Sequence, residues 1–106
     1  MTSQFEQIVP EDFKQFREIS KQFVNTTTTD IDGLWQLTVN GWLLATRWSE
    51  IQSNASLYAQ KHEINKTDFS NWAYQKYRQL QELHITCRVR YKMAVEEFKA
   101  NQIMEG

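Results

Sequence analysis

The chain has 106 residues, of which 41% are hydrophobic and 13% aromatic, with three glycines, one proline and a formal net charge of −1. That length holds one domain with a single core and leaves no room for a separate catalytic module, and so little glycine and proline excludes a turn-rich β fold in favour of an all-α chain. The charge balance offers no long-range attraction to nucleic acid or to an anionic membrane, and Cys87, the only cysteine, allows no internal disulfide and suits a reducing compartment.

The first segment, Met1 to Pro10, carries neither the basic nor the apolar region of a secretory signal, so the expected location is cytoplasmic. A short helix is expected over about 10–24, opened by Pro10 with Glu11 and Asp12 in its first turn, where proline and acidic residues are favoured. Val9, Phe13, Phe16, Ile19 and Phe23 form its apolar stripe. Residues 25–28 are a polar connector, and Thr29-Asp30-Ile31-Asp32 has the form of a capping box that starts a long helix over about 30–61. The apolar run from Leu34 to Ala45 is far shorter than the ~20 residues needed to span a bilayer and contains Gln36, Asn40 and Gly41, which marks it as a core segment. His62 to Thr67 supplies a turn, Thr67 or Asp68 the next cap, and a further long helix follows over about 68–101, with a frayed tail from Gln102 to Gly106.

Two apolar ladders define the architecture. One climbs through Leu34, Leu37, Gly41, Leu44, Trp48, Ile51, Ala55 and Tyr58, the other through Ala73, Tyr77, Leu80, His84, Cys87, Tyr91, Ala94 and Phe98. Both step by three and four, the spacing of a single helix stripe and of a two-helix seam. Folding the chain back about Asn65 and Lys66 pairs Tyr58 with Ala73, Ala55 with Tyr77, Trp48 with His84, Gly41 with Tyr91 and Leu34 with Phe98, so that large residues mostly meet small ones. The expected fold is an antiparallel hairpin of two long helices with the short N-terminal helix packed on it.

Both long helices carry a second apolar face. Trp35, Val39, Trp42 and Leu43 lie outside the first ladder, and Ile85, Val89 and Met93, spaced by four, lie outside the second. The short helix can cover one such face but not readily both, and the two-helix end of the hairpin has little with which to build a core. Contiguous apolar patches on soluble proteins mark contact sites, and two-fold homodimers are the commonest oligomers. Trp35, Val39, Trp42, Ile85, Val89 and Met93 are therefore the expected interaction surface, completed by dimerisation into a helical bundle. A plain closed three-helix bundle is the alternative.

Other candidates are weaker. His84 and Cys87 share a helical face, but two ligands fall short of the three or four that a zinc site uses, and a packed histidine beside a small buried thiol is the better account of them; no metal and no cofactor is expected. Arg88, Arg90 and Lys92 do not share one face and Lys92 can pair with Glu96, so nucleic acid is not an expected partner, and neither is a membrane. Trp48 belongs to the ladder, whereas Trp35, Trp42 and Trp72, the last near Phe69 and Tyr74 at the turn, are read as outer contacts of the kind tryptophan makes in interfaces. No catalytic residues are assigned. The function class that follows is a small cytoplasmic helical interaction module, an adaptor, regulator or inhibitor with a protein partner. Its rivals are a coat protein lying on a hydrophobic granule in the physical manner of phasins, though no motif carries a resemblance to them, and a helical bundle that binds an apolar ligand.

Overall fold

In a computed structural model that describes residues 4–105, the chain forms a 3-10 turn at Gln4–Gln7 and four helices: α1 Pro10–Asn25, α2 Ile31–Ser53, α3 Ala55–His62 and α4 Lys66–Glu105. Gly106, the end of the tail expected to fray, lies outside the described residues, and helix persists up to it. The molecule is a rod of 64 × 23 × 17 Å. Its axis is the hairpin of α2 and α3 against α4, with α1 laid along one side.

The helix starts are set by side chains. Asp30, rather than Thr29, caps α2 by accepting from the Gly33 amide at 3.0 Å, and a Cβ at Gly33 would strike that carboxylate. Asn65, rather than Thr67 or Asp68, caps α4 by accepting from the Asp68 amide at 3.0 Å. The long helix expected to run unbroken to Lys61 is interrupted at Asn54. There the Asn54 side-chain amide donates to the Glu50 carbonyl at 3.0 Å and the Ser53 hydroxyl to the Ser49 carbonyl at 3.0 Å, side-chain bonds that compete with the helical ladder and bend it. The chain then turns at Glu63, which takes a left-handed conformation with φ 54° while the Ile64 amide reaches back to the Ala59 carbonyl at 3.1 Å.

The ladders pack against each other, but one heptad out of the expected register. A Cβ on Gly41 would meet Leu83 Cδ2 at 3.1 Å and His84 Cα at 3.4 Å, not Tyr91, and His84 Nδ1 lies 2.8 Å from the Thr38 carbonyl oxygen. Trp35 takes the place against Tyr91, with ring centroids 5.1 Å apart, and Tyr58 lies on Phe69 at 5.3 Å. The cause is the turn: centred at Glu63 instead of Asn65 and Lys66, it shortens the fold-back and moves every pairing by about two turns of helix. By this register Ile31 stands level with about Ala94, so the remainder of α4 projects beyond α2. Phe98, expected opposite Leu34, is accordingly 52% exposed.

Helix α1 runs antiparallel to α2. Phe16 packs on Trp48 at 6.1 Å, Phe13 on Trp72 at 6.0 Å, and Ile19 is buried. Together with Phe5, Tyr58 and Phe69 these rings fill the turn end of the hairpin.

Candidate functional surface

Docking of α1 fixes which faces of the hairpin remain open. Asp12 pairs with Arg47, while Gln15, Ile19 and Gln22 border a shallow groove with Asn40, Leu43 and Leu44, so α1 occupies the side of α2 that carries Asn40 and Arg47. Trp35 lies five residues before Asn40 and Trp42 five before Arg47, so both tryptophans are turned well away, onto the opposite flank. Val39 lies on the outer edge of α2. On α4 the residues meeting α1 include Lys76 and Arg90; Ile85 and Val89 point outward, and Met93 borders a cleft with Arg90, Ala94 and Thr28 of the connector that follows α1.

Each residue expected at the interaction surface is exposed: Trp35 51%, Val39 37%, Trp42 55%, Ile85 53%, Val89 51% and Met93 65%. Leu43, 53% exposed, instead borders the groove beside α1 and stands apart from these six. They lie in the half of the hairpin away from the turn, in two stripes on the outer edges of α2 and α4, and only Trp35 has a ring neighbour, Tyr91. The fourth tryptophan corrects the reading from sequence. Trp72 is not an outer contact but part of the aromatic core, within 6.0 Å of Phe5, Phe13, Trp48 and Phe69 by ring centroid, and Phe69 beside it is fully buried.

His84 and Cys87 sit within the seam. A carbonyl oxygen can only accept, so His84 Nδ1 carries the proton that bridges to the Thr38 oxygen. Cys87 is fully buried, and loss of solvent raises its thiol pKa above the ordinary value despite the opposing charge of Arg90, which keeps it protonated and unreactive. Among the described residues no three His, Cys, Asp or Glu side chains converge as a metal-ligand group.

The basic segment divides. Arg90 places its guanidinium over the Phe23 ring at 5.1 Å, while Arg88 and Lys92 are exposed. The ion pair of Lys92 with Glu96 is not formed. Ion pairs among the described residues are those of Arg47 with Asp12 and Glu50 and of Arg78 with Glu82. The Arg47–Asp12 pair is two-pronged, at 2.9 and 3.2 Å, and holds the arginine more firmly protonated than usual. Sequence spacing gives no direct signal for this pair, because the partners are joined only once α1 folds over α2. No described helix is long and apolar enough to cross a membrane.

No family model, curated protein or solved structure matches the chain.

Proposed function

We propose that the chain is a cytoplasmic protein-interaction module that works through the outer apolar faces of its hairpin, and that a second copy is the first partner to occupy them. The carrying observation is the exposure of Trp35, Val39, Trp42, Ile85, Val89 and Met93 while α1 is committed to another side. Burying a large apolar side chain is worth roughly 1.5 to 3 kcal/mol, so a partner that covers several gains a large driving force. Tryptophan is also the residue most enriched among interface anchors. The resulting dimer would act as an adaptor, regulator or inhibitor, with no catalytic step of its own.

Light scattering on the purified chain tests the reading. A dimer mass at micromolar concentration is expected, and Trp42→Glu or Val89→Glu should abolish association while retaining the helical circular-dichroism signal. Cys87→Ser and His84→Gln should associate as the parent does. A monomer at all accessible concentrations overturns the dimer, and sedimentation of that monomer with lipid or polymer particles moves the assignment to a coat protein.

A further inference from the structure

We infer that α1 is a displaceable strap and that the groove beneath it receives an acidic amphipathic helix from a partner protein. The site is distinct from the outer faces and does not depend on dimerisation. α1 fills the groove as a peptide helix fills a recognition groove, laying Phe13, Phe16, Ile19 and Phe23 along it at helical spacing. Its hold is incomplete. Of these four only Ile19 is fully buried, and the three phenylalanines are partly exposed. The connector at 26–30 links α1 to α2 from outside the seam, so release of α1 breaks no pairing between α2 and α4.

The rim of the groove specifies the partner. It carries Arg47 on the α2 side and Lys76 and Arg90 on the α4 side, and α1 answers only the first with a carboxylate, that of Asp12. The Lys76 ammonium rests on the rings of Phe16 and Trp72 at 5.2 and 5.7 Å, and the Arg90 guanidinium on Phe23 at 5.1 Å. Among the described residues neither makes an ion pair. Burial lowers the Lys76 pKa from its ordinary value and outweighs the opposing field of Glu6, the mark of a charge whose solvation is only partly replaced.

The exposed positions that follow Phe16 and Phe23 toward α4 are Arg17 and Val24, one helical heptad apart. The first brings a like charge and the second brings none. A helix with the same apolar spacing and carboxylates at these positions would complete the rim, and so would bind better than α1 does. This argument separates a foreign acidic helix from a second copy of the chain, whose own α1 would bring the same Arg17 and Val24 and gain nothing over the resident strap.

The probe is a fluorescein-labelled synthetic peptide of residues 8–26 carrying Arg17→Glu and Val24→Glu, added to the full chain. It should bind saturably and about threefold to tenfold more tightly than the unsubstituted peptide, the range expected of two partly exposed ion pairs. Binding should speed amide exchange over residues 10–25 of the full chain while the seam of α2 and α4 stays protected. The double variant Lys76→Met with Arg90→Met, which keeps the apolar stems, should bind both peptides equally. The same two glutamates placed in the full chain should tighten the strap and weaken probe binding by a similar factor. Equal affinity of the two peptides for the parent chain, binding without exposure of residues 10–25, or no binding overturns the strap. A dimer that ignores the probe overturns this inference alone, and a monomer that binds it overturns the dimer alone.

Discussion

The two ends of the hairpin are built from the same residue types and differ in how many elements surround them. At the turn end, the N-terminal 3-10 turn and α1 join α2, α3 and α4, and a tryptophan there, Trp48, is fully buried among the rings of Phe16 and Trp72. At the open end α4 projects past the start of α2, and Trp35 and Trp42 are half exposed. Burial therefore follows the number of neighbouring helices rather than the hydrophobicity of the residue. A ring of this size needs contacts on several sides to leave water, and on the flank of α2 turned away from α1 only α4 is at hand.

The largest expected effect tests that contrast. Trp48→Ala should cost about 3 to 5 kcal/mol in urea unfolding, the loss typical of a large ring removed from a packed core. Trp42→Ala in the monomer should cost less than about 0.5 kcal/mol, as exposed substitutions do. Comparable losses at the two positions would erase the distinction between the ends. Trp48→Phe should be clearly milder than the alanine variant, because the indole Nε1 of Trp48 is buried without a hydrogen-bond partner and its removal frees a polar group that gained nothing from burial.

Gly41 sharpens the comparison at the point where the two halves meet. Gly41→Leu should destabilise by about 1 to 3 kcal/mol, since its side chain must enter space held by Leu83 and the His84 backbone. Gly41→Ala should be near neutral: its Cβ approaches only the flexible end of Leu83 closely, and alanine favours helix over glycine by ~1 kcal/mol. A leucine variant that melts higher than the parent would show that the seam does not close at this height.

Helix content, the antiparallel hairpin and the identity of the seam stripes were legible in the sequence because the three-four spacing of Leu34 to Ala55 and of Ala73 to Ala94 survives any shift by a whole heptad. Register was not legible for the same reason. A slip of seven residues leaves every seam residue on the seam, and only the turn distinguishes the alternatives. That turn sits on Glu63 in a left-handed conformation, where glycine or asparagine is the usual signal. The exposed faces could be read from Trp35, Trp42 and the four-residue steps of Ile85, Val89 and Met93. Trp72 could not, since its burial depends on Phe5 and Phe13, distant in sequence, folding over the turn end.

Glu63 gives the next prediction. A side chain in the left-handed region costs roughly 1 to 2 kcal/mol, a penalty glycine does not carry, although glycine loses more entropy on folding. Glu63→Gly should therefore stabilise the chain by about 0.5 to 1 kcal/mol at the turn end, read as a higher urea midpoint at unchanged slope. A lower midpoint would mean that the turn, and with it the register, is set elsewhere.

The smallest effect is a pH dependence at Cys87, which lies where α1, α2 and α4 meet. Its thiol pKa is raised in the folded chain, first by burial and against the charge of Arg90. The sign follows from proton linkage: above the ordinary thiol pKa of ~8.5 the unfolded chain loses the proton before the folded one does, so stability present at neutral pH falls as pH rises through the folded value. Lys76 works the other way, because its lowered pKa favours the fold as pH climbs toward the ordinary lysine range. Comparing the parent with Cys87→Ala isolates the thiol, since Lys76 is common to both. The stability advantage of the parent over Cys87→Ala should shrink between pH 7 and pH 10 in urea unfolding. An advantage constant across that range would mean that solvent reaches Cys87, and that the α1 strap does not seal the seam at this level.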